Sequence, residues 1–427
     1  MNKKKIAVIG AGISGLTCAY LLSRNADVHV FEANDYIGGH TATKKINVNN
    51  TEYSIDTGFI VFNDWTYPNF IKLLSQLKVE KQETEMSFSV HNESTNMEYN
   101  GNTINSLFAQ RRNVISPTFL RLVKDIVRFN KVCKAALLND NYDHQQTLGQ
   151  FIRQHKFSKV FLDNYILPMC AAIWSASLEQ SANFPIKFFL QFFNNHGLLN
   201  ITNRPQWYTI VGGSNAYVPP LIENFKHNIR LNSPIDCLEY SEDGISLYGK
   251  VKYAGFDDVI FACHSDQALK ILSKSMFADN YKTNVKAVLG NIPYELNDVV
   301  MHTDTSVLPD RKLAWASWNY RLTGVENEGK ALAKVSYNMN ILQKIDAPQT
   351  FVVSLNDSDN IDVNKVLGRY KYAHPQFSAD MVEAQTRRSE ICGVNGIHFC
   401  GAYWYNGFHE DGVRSALDVC QRFGESL

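Results

Sequence analysis

The stretch from Lys4 to Glu32, KKIAVIGAGISGLTCAYLLSRNADVHVFE, decides the fold of this chain. Residues 4–10 form a short apolar run with β-branched side chains, which predicts a strand, and residues 14–24 show helical spacing of apolar side chains. The following VHVFE, residues 28–32, alternates as a second strand does. A strand, a helix and a second strand make a βαβ unit, so this stretch predicts an α/β fold with a Rossmann-like domain.

The turn between the first strand and the helix carries the glycine pattern of a dinucleotide site. Gly10 allows the tight turn, Gly12 lets the backbone approach a pyrophosphate, and Gly15 lets the helix pack closely on the strand. The pyrophosphate then lies at the helix N-terminus, where free N–H groups favour negative charge. Glu32 can accept hydrogen bonds from the adenosine ribose and repels a 2′-phosphate, so NADP is disfavoured. The residues of this βαβ unit that are predicted to contact the dinucleotide are Gly10, Gly12, Ile13, Ser14, Gly15, Glu32 and Ala33.

Composition excludes several classes of protein. The 427 residues, 45% of them hydrophobic, suffice for two or three globular domains. Basic and acidic residues number 42 each, so no overall field attracts nucleic acid. The eight cysteines form no CxxC pair and have no histidine at ligand spacing, which predicts buried thiols in a reducing compartment and no metal site. No apolar run reaches the ~18 residues of a membrane span, and we expect a cytoplasmic protein.

The remaining sequence predicts helices and a second sheet. PNFIKLLSQL at 68–77 is typical of an amphipathic helix, and residues 106–200 are rich in helical pattern. FLRLVKDIVRFNKVCKAALL at 119–138 and FPIKFFLQFFNNHGLL at 184–199 are the clearest helices there. Between about 285 and 350, the stretches DVVMHTDTSVL, KLAWASWNY and ALAKVSYNM predict strands of an antiparallel sheet.

Four motifs indicate that the dinucleotide is FAD rather than NAD, because they resemble motifs of a known group of flavoproteins. GAGISGL, FEANDYIGGH and IDTGF resemble the N-terminal signature of the flavin amine oxidase and phytoene desaturase superfamily. HFCGAYWYNGFHEDGVRSAL, near the other end, resembles the second flavin-binding segment of that superfamily. Together with HTDTSVLP, AWASWNY and SYNMN, these motifs look most like a bacterial branch of amine-oxidase-like proteins. The resemblance implies an FAD-dependent oxidoreductase.

The predicted fold class is α/β, with an FAD-binding Rossmann-like domain built from discontinuous segments and an inserted α+β substrate domain of helices and an antiparallel sheet. The predicted FAD-binding domain comprises residues 1–75, 205–275 and 385–427. The predicted substrate domain comprises residues 76–204 and 276–384.

Positions carried over from the superfamily imply how FAD is held. His40 stands where the superfamily has an arginine on the flavin nucleotide's phosphates, so its contact is weaker than a guanidinium fork. Ala402 stands where the superfamily has an acid on the ribityl chain or phosphate, and cannot make that bond. No cysteine occupies the flavin-linking position, so non-covalent FAD is expected. The further FAD contacts that the resemblance implies are Gly39, His40, Thr41, Gly58, Phe59, Ile235, Ala262, Gly401, Ala402, Gly407, Phe408, His409 and Gly412.

The same resemblance implies which side chains face the reaction. Amine-oxidising relatives carry two aromatic rings beside the flavin and a lysine that holds a water near its reactive nitrogen. Phe408 is expected on one side, and Tyr372 and His374 on the other. The strand that should bring the lysine reads VVMHTDTSVL and contains none, so either His302 serves instead or amine chemistry is absent. The alternative for His302 and His374 is a structural histidine.

Three functions remain open at this point. The first is oxidation, desaturation or isomerisation of a hydrophobic substrate, such as a lipid acyl chain, with hydride transfer to flavin N5. The second is a flavin amine oxidase that produces hydrogen peroxide. The third is a non-redox flavin-binding or membrane-associated protein.

A basic stretch at residues 107–137 bears on the partner. Its seven cations stand against one acid, Asp125, and alternate with apolar side chains, a composition compatible with peripheral contact with the inner face of a membrane. The favoured interpretation is a helix that uses its apolar stripe for the core and its cations for solubility. The phenylalanines of residues 184–193 either line an entrance for an apolar substrate or form a buried aromatic helix.

Overall fold

The computed structural model describes residues 3–324 and 332–427. The strands of these residues are β1 Lys5–Ile9, β2 Asp27–Phe31, β3 Thr43–Val48, β4 Thr51–Asp56, β5 Val61–Asn63, β6 Lys81–Thr84, β7 Phe88–Asn92, β8 Met97–Asn100, β9 Trp207–Ile210, β10 Ile229–Arg230, β11 Ile235–Ser241, β12 Gly244–Gly249, β13 Lys252–Phe256, β14 Asp258–Phe261, β15 Tyr294–His302, β16 Trp318–Leu322, β17 Val335–Asn338, β18 Val352–Leu355, β19 Val366–Pro375 and β20 Ile397–Phe399. The helices are α1 Ile13–Leu22, α2 Pro68–Gln76, α3 Ile104–Leu107, α4 Pro117–Asn139, α5 Leu148–Gln154, α6 Lys159–Phe161, α7 Leu167–Trp174, α8 Leu178–Ala182, α9 Ile186–Asn195, α10 Val218–Ile222, α11 Ser265–Lys274, α12 Asp279–Leu289, α13 Met339–Leu342, α14 Ala379–Thr386 and α15 His409–Cys420.

A parallel sheet contains the predicted βαβ unit. Its order is β10-β2-β1-β14-β20, so strands from three distant parts of the chain lie side by side. β1 pairs with β2 on one side and with β14 on the other. α1 is buried along nearly its whole length because it packs on this sheet and against α15. The predicted α/β class, with a Rossmann-like domain from discontinuous segments, is confirmed.

A seven-stranded sheet in the order β19-β15-β18-β17-β16-β7-β8 forms the second large layer. Its neighbours are antiparallel, except that β16 and β7 are parallel. The predicted antiparallel sheet is therefore present, and it also contains β7, β8, β18 and β19, which lie outside the residues from which it was predicted.

Two of the predicted strands are shorter than their sequence pattern indicates. In DVVMHTDTSVL the strand ends at His302, because the Asp304 side chain accepts a hydrogen bond from the Ser306 backbone and turns the chain. In KLAWASWNY the strand begins only at Trp318. ALAKVSYNM supplies β17, and its first residue, number 331, lies outside the described residues.

The predicted domain boundaries can be compared with the sheets. Every strand of the parallel sheet falls in the segments predicted to bind FAD, and every strand of the seven-stranded sheet falls in the predicted substrate segments. A third sheet, β5-β9-β6, crosses the predicted boundary, because β6 at Lys81–Thr84 pairs with β9.

The predicted helices are present with small shifts of their ends. The pattern at 68–77 forms α2, Pro68–Gln76, which has Pro68 in its first turn, and the long apolar pattern forms α4. The aromatic helix α9 starts at Ile186, after Pro185. One continuous hydrophobic core joins the parallel sheet, the helices and most of the seven-stranded sheet. Among the described residues, no helix is both long and apolar enough to cross a membrane.

Candidate flavin site

The first glycine loop forms a cradle with free space above it. Gly10 has φ +108°, and Gly15 packs so closely that an added Cβ would lie 2.0 Å from the Gly10 carbonyl oxygen. A Cβ on Gly12, in contrast, would meet no atom within 4 Å. No side chain caps the N-terminus of α1, so its first-turn N–H groups face this space. These features fit a pyrophosphate at the helix N-terminus.

Glu32 is held at the end of β2 beside this cradle. One carboxylate oxygen accepts a hydrogen bond of 2.8 Å from the Ala11 backbone, and the other accepts one of 2.9 Å from the Asn34 backbone. The oxygen on Asn34 also accepts from the Asn34 side-chain amide at 2.9 Å, so the oxygen on Ala11 is the one that keeps a lone pair for a ribose hydroxyl. The chain leading to β11 passes close by, since the Ser233 N–H donates to the Glu32 carbonyl at 2.8 Å, and this brings Ile235 to the same end of the sheet. Ala33, which follows Glu32, is exposed.

The second glycine turn lies against the first. The Gly38 N–H donates to the Ala11 carbonyl at 2.8 Å, and Gly39, with φ +60°, would place a Cβ 3.3 Å from Gly12 Cα. This turn carries His40 directly to the cradle. Backbone of the IDTGF motif follows the turn, because a Cβ on Gly58 would lie 2.2 Å from the His40 carbonyl oxygen.

The far segment brings a second helix N-terminus to the site. α15 packs so tightly on α1 that a Cβ on Gly412 would lie 2.7 Å from Ile13 Cγ2 and 3.0 Å from Ser14 Oγ. The two helices thus direct their N-terminal ends to one region, which favours negative charge there. Gly401 is fixed by a 2.9 Å hydrogen bond from its N–H to Ser415 Oγ, and Gly407 has φ +89°. Ala402 offers only its backbone, whose carbonyl accepts from the Gly407 N–H at 3.1 Å.

His409 joins several predicted contacts. Its ring stacks on Phe59 with centroids 3.5 Å apart, and its Nε2 lies 2.9 Å from the Tyr217 hydroxyl and 3.1 Å from Thr41 Oγ1. Burial, and next the nearby His40, hold the pKa of His409 well below its usual value. His409 is therefore a neutral ring that locks the start of α15 to the IDTGF motif and the second glycine turn.

A cluster of imidazole rings lies where the two large sheets meet. The His40 ring is 5.6 Å from His374 and 5.3 Å from Tyr372, both on β19, and 5.7 Å from His264 after β14. His264 stacks on Tyr294, the first residue of β15, at 4.4 Å. His264 and Tyr294 were not predicted. The signal for His264 was its position directly after the apolar strand VIFAC, two residues beyond the predicted contact Ala262.

These histidines are neutral at neutral pH. Burial, followed by His264, lowers the pKa of His40 to about 4, and burial, followed by His40, lowers the pKa of His374 to about 3. The pKa of His264 falls to about 4 through burial and then His374. The Nε2 atom of His40 is buried and has no hydrogen-bond partner among the described residues, which fits a group bound beside it.

Side-chain hydrogen bonds fix the β19 candidates. His374 Nδ1 lies 3.0 Å from Ser175 Oγ and 3.3 Å from the Asn297 amide nitrogen, and the Tyr372 hydroxyl lies 2.8 Å from Thr57 Oγ1. Tyr372 and His374 alternate along the strand, so they project on the same face of the sheet.

His302 does not belong to this cluster, which corrects the expectation that it stands at the flavin. His374 pairs with Glu295 near the start of β15, whereas His302 ends that strand and pairs with Val366. An extended strand rises about 3.3 Å per residue, so the two ends are more than about 20 Å apart. His302 is fully buried and bonds Ser354 Oγ at 2.8 Å and the Asp304 N–H at 3.1 Å. It is a structural histidine.

Aromatic rings surround Phe408 at the N-terminus of α15. Phe408 stacks on Phe192 of α9 with centroids 5.4 Å apart, and Phe192 contacts Trp174 at 4.7 Å. Phe188, one turn earlier, stacks on Phe377 at 5.1 Å. We call Trp174, Phe188, Phe192, Phe377 and Phe408 the aromatic wall.

The opposite face of α9 packs into the core instead. Phe189 and Phe193 stack on each other at 4.0 Å, and Phe189 reaches Phe129 of α4 at 6.0 Å. Four of the five phenylalanines of residues 184–193 are buried, as the interpretation of a buried aromatic helix expects. Phe188 is partly exposed, and the buried Phe192 joins it in the aromatic wall.

One group of possible metal ligands lies outside this site. His91, Glu98 and Asp310 place ligand atoms within 4.8 Å of one another. Arg311 forms an ion pair with Glu98, so this carboxylate already has a cationic partner. All eight cysteines are free thiols, and six of them are buried.

A glycine cradle, a ribose-binding acid and a second helix N-terminus from the far end of the chain define a dinucleotide-binding flavoprotein. The chain belongs to the family of flavin-containing amine oxidoreductases, whose model matches residues 13–360. It is an FAD-dependent oxidoreductase. The expected superfamily and cofactor are thereby confirmed.

Solved structures share the fold across the whole chain. Cyclohexylamine oxidase from Brevibacterium oxydans IH-35A is similar with a TM-score of 0.66 at 14% identity, over 99% of this chain and 100% of that one. A fatty acid isomerase from P. acnes that produces CLA is similar with a TM-score of 0.69 at 12% identity, over 98% of each chain. At these identities the likeness shows the fold alone.

A curated relative matches over a short stretch. Tryptophan 2-monooxygenase from Allorhizobium ampelinum is 58% identical over 44 residues, which are 10% of this chain and 6% of that protein. A match of this length carries no substrate to this chain.

Proposed function

We propose that this enzyme oxidises, desaturates or isomerises a hydrophobic substrate, with a lipid acyl chain as the leading class, by hydride transfer to flavin N5. The aromatic wall carries this proposal, because it places apolar rings beside the start of α15, where the family positions the flavin ring. An apolar wall binds a hydrocarbon chain by removing it from water.

Bound FAD supplies a hydride acceptor at N5. The protein supplies position, exclusion of water and a place for the proton. His374 is a neutral imidazole, and it can accept a proton at Nε2 when its Nδ1–H donates to Ser175 Oγ. When a hydride leaves one carbon and a proton leaves its neighbour, a double bond forms. Oxidation and desaturation then require an external electron acceptor, whereas isomerisation returns the hydride to the substrate and requires none.

The missing lysine favours this reaction over amine oxidation. β15, which reads YELNDVVMH, contains no lysine. Lys371 lies between Tyr370 and Tyr372 on β19 and is exposed, so it projects on the opposite face from Tyr372.

A flavin amine oxidase that releases hydrogen peroxide is the second candidate, since the family is named for amine substrates. An amine must be neutral to give up a hydride, so a site with four neutral histidines also suits it. The two candidates differ in product, since only amine oxidation yields peroxide together with an aldehyde or ketone.

Product analysis distinguishes them. The purified FAD enzyme is incubated in air with acyl lipids and, in parallel, with a panel of primary and secondary amines. We expect a lipid that has lost two hydrogen atoms, or one of unchanged mass with a displaced double bond, as detected by mass spectrometry. Peroxide formation with an amine, and no change in any lipid, would replace the proposal with the second candidate.

A further inference from the structure

Four large apolar side chains are exposed within one short segment of the predicted substrate domain. Ile104 is 80% exposed, Val114 52%, Ile115 82% and Leu120 44%. Isolated exposed apolar residues are ordinary on protein surfaces, but a cluster of this kind marks a contact site. We call these four residues the isoleucine patch.

The backbone of the segment is well fixed, so the exposure is not that of a loose loop. Thr103 caps α3 through Ser106, and Ser116 caps α4 by accepting from the Phe119 N–H. Ile115 and Leu120 occupy the positions before the cap and in the first turn of α4, which is the pairing of a hydrophobic staple. Arg111 ties the connecting turn to α3 through the Phe108 carbonyl at 3.0 Å. The patch is thus presented on a preformed surface.

Exposed cations lie beside the patch and continue along α4, and the segment contains one acid. Arg111, Arg112, Arg121, Lys124, Lys131 and Lys134 are exposed. The only acid between residues 104 and 134 is Asp125, which is buried and paired with Arg121 and Arg128. The surface of this segment is therefore positive, although the whole chain has no net charge.

We propose that the isoleucine patch and the exposed cations of the same segment dock the enzyme onto an anionic lipid bilayer. Branched apolar side chains enter the boundary between headgroups and acyl chains, while lysine and arginine bind the anionic headgroups. The apolar side chains favour a bilayer over nucleic acid, whose phosphates offer nothing for an isoleucine to bury against.

This docking surface differs from the one that the sequence suggests. The apolar stripe of α4, with Phe119, Leu122 and Phe129, is buried in the protein core, so the helix cannot lie in the membrane on that face. The contact comes instead from the turn before α4 and from its first residues. Through Phe129, the buried stripe reaches Phe189 of α9, the helix whose other face forms part of the aromatic wall. A substrate drawn from a bilayer would suit this arrangement.

Vesicle flotation of the FAD-loaded enzyme tests the proposal. Vesicles of phosphatidylglycerol and phosphatidylcholine are compared with vesicles of phosphatidylcholine alone. We expect the enzyme to float with the anionic vesicles and Ile104→Ser with Ile115→Ser to lower binding at least about tenfold. Lys124→Gln, Lys131→Gln and Lys134→Gln together should also lower binding and remove most of its salt dependence. The control, Val251→Ser with Val363→Ser, changes two valines that are 58% and 72% exposed elsewhere and should bind as the parent does.

Retention of bound flavin shows that each variant is folded, and flotation needs no turnover. A failed docking test therefore leaves the proposed reaction untouched. The proposal is overturned if the parent does not float with anionic vesicles, if the isoleucine variant floats as well as the parent, or if the parent binds duplex DNA more tightly than the vesicles.

Discussion

Phe192 of α9 and Phe408, the N-cap residue of α15, stack with ring centroids 5.4 Å apart and planes inclined by 25°. The contact joins a helix of the predicted substrate segment to the helix start that the family places beneath the flavin ring. Because α15 also packs on α1, one chain of contacts links the pyrophosphate cradle to the aromatic wall. The shape of this wall should therefore decide which substrates reach the cofactor.

Shortening the wall at Phe192 should impair substrate use. Phe192→Leu removes the stack on Phe408, and we expect kcat/KM for the hydrophobic substrate to fall by roughly tenfold. The matched control is Phe193→Leu, which makes the same change on the core face of α9 and should lower the unfolding temperature without changing kcat/KM. Equal losses of kcat/KM in both variants would show that the wall does not contact substrate.

Substitution of Gly12 and of Gly15 in the first glycine loop should have different effects, the first on FAD binding and the second on folding. Gly12→Val places its side chain in open space, so the apoprotein should fold while FAD binds at least about tenfold more weakly. Gly15→Val instead meets the Gly10 carbonyl, so this variant should not yield folded protein. Fluorescence titration with FAD and circular dichroism measure the two effects. A folded Gly12→Val variant with the affinity of the parent would contradict the pyrophosphate cradle.

The neutral histidines should set the pH dependence of the reaction. A base must be unprotonated, so activity falls only when the pH drops through its pKa, and the pKa of His374 is lowered to about 3. We therefore expect kcat/KM to be flat from about pH 5 to 7, with no loss near pH 6.5, the usual histidine pKa. His374→Gln should lower kcat roughly a hundredfold while FAD remains bound. If kcat/KM of the parent falls near pH 6.5 and this fall is absent from the variant, then His374 has the usual histidine pKa and the account is contradicted.

Asp411 should make the protein less stable as pH rises. Burial is the main cause that raises the pKa of this carboxyl to about 7. In the unfolded chain the pKa of an aspartate is about 4. Between about pH 4 and pH 7 the native state therefore holds a proton that the unfolded state has lost. The resulting stability is complete below about pH 4 and is lost as pH rises through 7.

Asp411→Asn keeps an acceptor for the Phe408 N–H, which lies 2.9 Å from the carboxylate, but cannot ionise. Relative to the parent, its free energy of unfolding should improve by roughly 1–3 kcal/mol between pH 5 and pH 8. Urea unfolding at both pH values measures this difference. Asp380→Asn, at an exposed position, serves as the control and should show no such trend.

The cofactor half of the site could be predicted from sequence because it depends on local backbone geometry. Gly10, Gly12 and Gly15 act within one turn, and Glu32 follows on the next strand, so spacing alone places them together. The second glycine turn and the start of α15 lie far away in the chain, and only their resemblance to a known family connected them to this cradle.

The substrate half could not be placed in this way. His264, Tyr294 and His374 meet because three strands from two sheets end at one point, which no local pattern encodes. The expectation for His302 was wrong because β15 begins at Tyr294, so its start, rather than its end, approaches the cofactor cradle. The α4 pattern was correctly read as a helix, but its burial depends on what packs against it.

Anaerobic mixing of the FAD enzyme with candidate substrates tests the central claim most directly. Flavin absorbance is followed while acyl lipids in detergent or vesicles, and then amines, are added in the absence of oxygen. A hydrophobic substrate that passes a hydride to the cofactor should bleach the flavin, permanently in oxidation or desaturation and transiently in isomerisation, while amines leave it oxidised. Bleaching by an amine, with no response to any lipid, would contradict the account.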